Sequence, residues 1–273
     1  MRVCLVVNPR SRRGRQFGDA VRDELRRRSV DLTESQASEE IDAIVVAGGD
    51  GTLVGKLPRA LALDVPVGIV PLGTFNDLAR TLEIPLDIEG ACGVIAAGKT
   101  RRIDAARVNN TYYVTEASIG ISSRLARRQR SEEKQRFGLL AIAASALTAV
   151  RYARSFRAEI SHDGATARLR AVQLTVANSQ RFGGFIRVEG AAIDDGRLEL
   201  YAVEIENARQ FFSVAAAIVS GKRRFADGLR TYRAKAFDVW THRPHHISAD
   251  GEPAGTTPAR FEVLPGVLRV FVP

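Results

Sequence analysis

The chain contains few of the residues that mark disulfide-rich or metal-binding proteins. Its 273 residues include two cysteines, one methionine and one tryptophan. Cys4 and Cys92 stand 88 positions apart, each among apolar neighbours, and a single pair so placed offers neither a disulfide framework nor the spacing of zinc ligands. We therefore expect both cysteines to be small core residues.

Long hydrophobic runs are also missing. The longest apolar run extends from residue 138 to 150, and a helix needs about 20 apolar residues to cross a bilayer. The first apolar stretch reaches Asn8-Pro9 after seven residues, which is too soon for a signal peptide. The sequence thus predicts a cytoplasmic protein, with no repeats of solenoid length.

The charge of the chain is strongly positive. Lysine and arginine number 40 against 31 acidic residues, which gives a net charge of +9. Arginine clusters occur at residues 10–15, 26–28, 124–136 and 222–224. Such a balance indicates an anionic partner, although any one cluster also fits a solvated helix face. Because zinc-finger spacings and aromatic-rich RNA-binding strands are absent, the sequence favours an anionic membrane surface over nucleic acid.

The first hundred residues alternate between buried strands and amphipathic helices. Strands are predicted at residues 3–7, 41–47 and 65–70, and helices at 16–28, at 53–63 with an interruption near Pro58, and at 74–82. Continuous apolar runs are typical of parallel strands buried on both faces. The alternation predicts a doubly wound α/β domain whose ligand lies at the carboxyl ends of the strands.

The pattern changes after Asp104, where short segments rich in β-branched and aromatic residues follow one another between turns. The predicted strands lie at 105–108, 112–117, 157–162, 167–177, 197–205, 235–240, 246–249, 261–264 and 268–272. Helices are predicted at about 132–155 and 209–221. We expect an α/β domain at 1–104 and a mostly β, sandwich-like domain at 105–273, whose last strands cross back to the first domain.

A glycine-rich loop follows the predicted strand at 41–47. It reads Gly48-Gly49-Asp50-Gly51-Thr52. Glycines allow the backbone to approach a phosphate, and consecutive N–H groups attract it. A carboxylate in such a loop suits a divalent cation between it and the phosphate, or it stabilises the loop by accepting N–H groups. The same residues also fit an ordinary tight turn.

A second loop follows the strand at 65–70 and reads Pro71-Leu72-Gly73-Thr74-Phe75-Asn76-Asp77. Thr74, Asn76 and Asp77 are predicted to cap a helix, whose free N–H groups favour an anion. A capped helix without a ligand is the alternative.

Together, the two loops resemble the diacylglycerol-kinase catalytic-domain family, which includes bacterial lipid kinases and sphingosine kinases and is related to NAD kinases. Further matches follow in the family's order and span most of the chain. They are Asn8-Pro9 with Ser11, Ser118-Ile119-Gly120, Val176-Ala177-Asn178-Ser179, Phe182-Gly183-Gly184, Ile193-Asp194-Asp195-Gly196 and Asp250-Gly251-Glu252. Asp250-Gly251 is by itself also a strong hairpin signal.

The resemblance implies a NAD-kinase-like fold and an ATP- and Mg²⁺-dependent kinase that phosphorylates a hydroxyl of a diacylglycerol-like membrane lipid. Glu252 is then the base, with Asp250 beside it. Asp50, Asp77 and Asp104 would surround the catalytic Mg²⁺, and Asp195 would bind a structural Mg²⁺ with the carbonyls of Ala192 and Arg197. The implied nucleotide contacts are Thr33, Gly48, Gly49, Asp50, Gly51, Thr52, Thr74, Asn76 and Asp77.

Some positions depart from the family pattern. The family commonly has Asn-Glu where this chain has Val54-Gly55, arginines replace a glycine-containing turn at residues 10–13, and Thr115-Glu116 stands where an asparagine is common. Two alternatives therefore stay open: a nucleotide-binding, membrane-associating regulatory homologue without turnover, and a NAD-kinase-like enzyme with a soluble substrate. Peripheral association with the inner membrane face and a homodimer are further expectations.

Overall fold

The computed structural model describes residues 1–8, 11–33, 40–121, 155–182, 186–187, 191–205, 210 and 228–273. Its helices are α1 (Arg12–Arg27), α2 (Asp50–Val54), α3 (Leu57–Leu63), α4 (Asp77–Thr81) and α5 (Ile88–Ala97). The strands of the first half are β1 (Arg2–Val7), β2 (Asp31–Thr33), β3 (Ala43–Gly48), β4 (Val67–Pro71), β5 (Thr100–Val108), β6 (Thr111–Tyr113) and β7 (Glu116–Gly120). Those of the second half are β8 (Phe156–His162), β9 (Ala165–Ala171), β10 (Gln173–Ala177), β11 (Arg181–Phe182), β12 (Ile186–Arg187), β13 (Leu198–Val203), β14 (Leu229–Ala234), β15 (Ala236–Thr241), β16 (His246–Ala249), β17 (Glu252–Thr256) and β18 (Ala259–Phe271).

The first half is an α/β unit, as the alternation predicts. Strands β2, β1, β3 and β4 lie side by side in parallel. All six residues of β3 are buried, because helices cover a parallel sheet on both faces. The carboxyl ends of these strands meet at one edge, where Asn8, Gly49 and Leu72 begin the connecting loops.

The second half is a β sandwich. One layer is a six-stranded sheet in the order β14-β13-β10-β7-β16-β17. The other layer contains β15, β8 and β9, which continue the sheet of the α/β unit beyond β18. Buried side chains of both layers, among them Phe237, Phe261 and Ile119, form one hydrophobic core. The predicted fold class is therefore confirmed.

Strand β18 connects the two halves. It pairs with β5 along most of its length, with β15 at Ala259–Glu262, and in parallel with β4 at Val270. The last strand of the chain thus lies beside the strand that precedes the second glycine loop. The boundary expected at Asp104 stays a prediction.

Several element boundaries differ from the predicted ones. The interruption predicted near Pro58 in the helix at 53–63 lies at Gly55-Lys56, where it separates α2 from α3. The strands predicted at 261–264 and 268–272 are one strand with an irregular register between Leu264 and Leu268. The helices predicted at 132–155 and 209–221, the arginines at 124–136 and 222–224, and Gly183-Gly184 lie outside the described residues, apart from Ser155 and Gln210.

Within the described part of the chain, none of the helices has the length and apolar character needed to cross a membrane.

Candidate functional site

Three loops meet at the carboxyl edge of the parallel strands. Asn8 follows β1, Gly49 follows β3 and Leu72 follows β4. The side-chain amide of Asn8 donates to Thr52 Oγ1 at 3.1 Å, and the backbone N–H of Leu72 donates to the carbonyl of Gly48 at 3.0 Å. The structure therefore brings the opening loop and both glycine loops together.

The two glycine loops approach each other so closely that no side chain fits between them. A Cβ added to Gly73 would lie 2.5 Å from Gly49 Cα, and one added to Gly49 would lie 3.0 Å from Gly73 Cα. A Cβ added to Gly48 would likewise lie 2.8 Å from Thr52 Oγ1. The glycines are thus required for packing as well as for backbone exposure.

Asp50 caps α4 from the neighbouring loop. Its carboxylate accepts the backbone N–H groups of Asp77 at 3.2 Å and Leu78 at 3.3 Å. Asn76 occupies the N-cap position, as expected, but its side chain forms no capping hydrogen bond. Asn76 adopts a left-handed conformation with φ of 52°, and its side chain instead bonds both backbone groups of Gly73.

The other predicted nucleotide contacts lie near the carboxyl edge of the parallel strands and differ in how far they are buried. Thr33 ends β2 beside Cys4 of β1. Thr74 is exposed at the tip of the second loop, whereas Asp77 is buried. Ser11 caps α1 by accepting the N–H of Gly14 at 2.9 Å. Of the arginines in the opening turn, Arg13 reaches the carbonyl of Gly73 at 3.5 Å.

Asp250-Gly251 forms a tight hairpin turn between β16 and β17. Both residues have positive φ, 45° and 85°, as such a turn requires. The turn places Glu252, the first residue of β17, against the first glycine loop, since a Cβ on Gly51 would lie 3.3 Å from Glu252 Oε1. Asp250-Gly251 is thus a hairpin turn, and this turn is also what brings Glu252 to the first glycine loop.

The carboxylate of Asp250 points away from the turn into the protein. It accepts the backbone N–H groups of Val114 at 2.7 Å, Thr115 at 3.0 Å and Glu116 at 2.9 Å, and the hydroxyl of Thr115. Removal from water raises the pKa of Asp250 to about 6 although these hydrogen bonds lower it. Asp250 thus fixes the loop between β6 and β7.

Glu116 is a further acidic residue that the motif comparison assigned no role. Removal from water, followed in size by the charges of Asp250 and Asp77, raises the pKa of Glu116 to about 8. The charge of Asp50 also acts on Asp250. The carboxylates of Asp50, Asp77, Glu116 and Asp250 therefore lie close enough for the charge of one to affect the pKa of another. The only sequence signal was the departure from the family pattern at Thr115-Glu116.

The raised pKa of Glu116 predicts a specific pH dependence of stability. A carboxyl whose pKa is higher in the folded state favours folding at low pH, and this contribution is lost as pH rises from its unfolded value of 4.5 to about 8. Since Asp250 titrates near 6, the window between pH 6 and 8 reports mainly on Glu116. We expect the melting temperature, measured with chelator present, to fall across this window.

The variant Glu116→Gln should flatten that decline, because the amide resembles the protonated acid. Glu262→Gln, which changes a carboxylate paired with Arg107, is the matched control and should retain the wild-type slope. An unchanged slope in Glu116→Gln would contradict the assignment.

Asp104 lies apart from this group of carboxylates. It is buried, and its two carboxylate oxygens accept the N–H groups of Gly196 at 2.7 Å and Gly266 at 2.8 Å. Asn178 donates to the carbonyls of Asp104 and Val114 at 3.1 and 3.0 Å. The place of Asp104 around a metal stays a prediction.

These contacts predict that Asp104→Asn destabilises the protein without any metal. The side chain of asparagine has only one oxygen, so its NH₂ group would face one of the two backbone N–H groups that Asp104 binds. A buried donor left without an acceptor costs about 1–3 kcal/mol. Denaturant unfolding with chelator present should show this loss. Asp238→Asn, at an exposed ion pair with Arg260, should change the free energy of unfolding by less than about 1 kcal/mol. A loss seen only with Mg²⁺ would favour the metal role.

Asp195 is already neutralised. Its carboxylate accepts the N–H groups of Ala192 at 3.0 Å and Arg197 at 2.9 Å, and it pairs with the guanidinium of Arg233 at 2.7 Å. The guanidinium supplies the positive charge that a structural Mg²⁺ would bring, so these residues fit a second metal poorly. Among the described residues no group of three or more histidine, cysteine or acidic side chains has the arrangement of a metal site.

The acidic residues near the glycine loops fit a cation better. Burial is the largest cause of the raised pKa of Glu116, and the like charges of Asp250 and Asp77 add to it. A nearby divalent cation would offset these like charges, and carboxylate oxygens are the ligands that Mg²⁺ prefers. The residue types here are thus compatible with Mg²⁺, but their arrangement in the described part of the chain is not that of a metal site.

Comparison with known proteins gave matches along the whole chain. Residues 2–108 match the family described as Diacylglycerol kinase catalytic domain, and residues 115–272 match the YegS C-terminal NAD kinase beta sandwich-like domain. An uncharacterized protein of Synechocystis is 30% identical over 251 residues, which cover 87% of this chain and 58% of that protein. A diacylglycerol kinase of Staphylococcus aureus is 28% identical over 247 residues, 88% of this chain and 77% of that enzyme.

Solved structures show the same fold. A diacylglycerol kinase from Bacillus anthracis aligns over 100% of this chain and 97% of its own, with a TM-score of 0.76 and 25% identity. An NAD kinase from Archaeoglobus fulgidus in complex with ATP aligns over 99% of this chain and 93% of its own, with a TM-score of 0.54 and 16% identity; this likeness concerns the fold alone. The second match covers more than half of the chain, so the chain belongs to the family with the YegS C-terminal NAD kinase beta sandwich-like domain, and its residues 2–108 match the diacylglycerol kinase catalytic domain.

Proposed function

We propose that the protein is an ATP- and Mg²⁺-dependent lipid kinase that transfers the γ-phosphate to a hydroxyl of a diacylglycerol-like membrane lipid. The observation that carries this proposal is the position of Glu252 against Gly51, the third glycine of the first loop. A proton acceptor and a phosphate-binding backbone thus face each other, although 201 positions separate them in the chain.

Different residues bind the phosphates, accept the proton and position the loops during phosphoryl transfer. The backbone N–H groups of the first glycine loop hold the phosphates of the nucleotide, whereas the N–H of Gly73 in the second loop already donates to Asn76 Oδ1. Glu252 is exposed and accepts the proton of the attacking hydroxyl. Asp50 keeps the second loop in place through α4. Mg²⁺, held by Asp77 with Glu116 nearby, would neutralise charge on the phosphates.

The membrane lipid requires the protein to bind at a bilayer. The positive net charge supports peripheral association with the anionic inner face of the membrane, where each basic residue near the surface contributes about 1 kcal/mol. Such binding should weaken as salt rises, since charges are screened beyond about 10 Å at 0.1 M. A homodimer stays a prediction.

Transfer of labelled γ-phosphate from ATP, with Mg²⁺, into a total lipid extract tests the proposed function directly. A labelled lipid separated by chromatography would support it and reveal the substrate class. ATP binding without labelled lipid would favour the regulatory alternative, for which the buried Val54 replaces a common polar residue. In a parallel reaction with NAD and no lipid, label in NAD would favour a soluble substrate.

A further inference from the structure

A cleft lined by residues from both sheets of the sandwich combines four arginines with the only tryptophan of the chain. Its volume is about 520 Å³, within the range of about 300–1,000 Å³ that ligand sites occupy. The residues that line it on β8, β9, β13–β14 and β15 are Arg157, Ala158, Glu159, Arg168, Leu169, Arg170, Glu204, Arg230 and Trp240. None of them belongs to the kinase site described above.

Two of these arginines stand directly opposite each other. Arg157 of β8 pairs in register with Arg170 of β9, and both are exposed. Like charges directly opposite on antiparallel strands are destabilising. Arg170 donates to Ser155 Oγ at 2.7 Å, and no carboxylate in the described part of the chain forms an ion pair with either arginine.

The remaining charges of the cleft are compensated within it. Arg168 pairs with Glu159 at 2.7 Å, and Arg230 pairs with Glu204 at 2.9 Å. The cleft therefore carries an excess of two positive charges, and these belong to Arg157 and Arg170. An anion between the two guanidinium groups would turn an unfavourable pair into a favourable one.

Trp240 supplies an apolar wall beside this charge. It pairs in register with Glu159, one row from the arginine pair, and 52% of its surface is exposed. Its indole lies edge-on to the ring of His242, with the centroids 6.4 Å apart, and provides an apolar surface on which an organic group can pack.

We propose that this cleft binds a phosphate ester, with the phosphate held between Arg157 and Arg170 and the organic part packed on Trp240. Guanidinium groups bind phosphate oxygens through paired, charge-assisted hydrogen bonds, and a phosphate has enough free oxygens to engage both arginines at once. The ester comes either from a soluble metabolite or from the head group of an anionic phospholipid. This inference does not depend on the proposed kinase activity.

Fluorescence of the intact protein tests the proposal, because Trp240 is the only tryptophan and emission excited at the red edge therefore reports on this cleft alone. The probes are glycerol 3-phosphate, succinate, and vesicles of phosphatidylglycerol or of phosphatidylcholine. Titration calorimetry with the same probes detects binding that leaves the emission unchanged. A saturable response to glycerol 3-phosphate supports a soluble ester, and a response to phosphatidylglycerol vesicles alone supports the lipid source.

Variants identify the residues responsible. Arg157→Gln should weaken binding about tenfold, the loss of one charge-assisted hydrogen bond, and the double variant with Arg170→Gln should weaken it further. Circular dichroism verifies that both fold. Arg260→Gln removes one exposed charge elsewhere on the same sheet and should bind as the wild type does.

Four results would overturn the proposal. The first is that neither fluorescence nor calorimetry detects binding of any probe. The second and third are that succinate binds as tightly as glycerol 3-phosphate, and that phosphatidylcholine vesicles bind as tightly as phosphatidylglycerol vesicles. The fourth is that Arg260→Gln weakens binding as much as Arg157→Gln does. None of them bears on phosphate transfer, so this proposal and the proposed function fail separately.

Discussion

Glu252→Gln is expected to lower the rate of phosphate transfer by about 10²–10⁴-fold, the contribution of a positioned general base. The amide retains the shape of the side chain but accepts no proton. Glu252 is exposed at the first position of β17 and contacts the glycine loop only at its edge. The variant should therefore bind ATP and unfold as the wild type does.

The measurement is single-turnover transfer of labelled γ-phosphate to lipid, with nucleotide binding followed separately. Glu262→Gln, ten positions further along the chain and paired with Arg107, is the control and should retain full activity. If Glu252→Gln transferred phosphate at the wild-type rate, Glu252 would not be the base. If it lost ATP binding to the same extent as activity, its role would be in nucleotide binding instead.

Gly73→Ala is expected to damage both stability and nucleotide binding. The new Cβ would lie 2.5 Å from Gly49 Cα and 2.6 Å from Asn76 Oδ1. Because the first of these atoms is backbone, a rotamer change cannot relieve the collision and the two loops must separate. Overpacking of this kind costs about 1–3 kcal/mol. Since both loops form the phosphate cradle, we expect ATP affinity to fall by about tenfold or more.

Gly55→Ala is the matched control in the same region. Gly55 has φ of −61°, and a Cβ there would meet its nearest neighbour, the carbonyl of Thr52, at an ordinary 3.6 Å. This variant should keep its ATP affinity and its stability. If Gly73→Ala bound ATP as well as Gly55→Ala does, the contact between the two loops would not shape the nucleotide site.

The local elements of the site were predictable because their signals are local. Apolar runs at 3–7, 41–47 and 65–70 predicted the parallel strands, and β-branched segments after Asp104 predicted the sandwich. Strand alternation and turn residues act over a few positions. The Asp250-Gly251 turn is one such signal.

The partners of the acidic side chains were not predictable in the same way. Asp50 was expected either to serve a cation or to accept N–H groups of its loop, and it accepts N–H groups 27 and 28 positions away, in the second loop. Asp104 was expected near a metal, which stays a prediction, and the N–H groups of Gly196 and Gly266 that it accepts were not foreseen. The sequence shows which groups a side chain is able to bind. Which of them it does bind depends on the segments that the fold places beside it.

The sequence by itself determined the fold class, the two glycine loops and the turn that carries Glu252, because each depends on propensities read within a short window. Only the tertiary structure placed Glu252 against Gly51, Glu116 near Asp77, and Arg157 opposite Arg170. These contacts follow from strand order and register, in which a shift of one residue would turn every side chain to the opposite face.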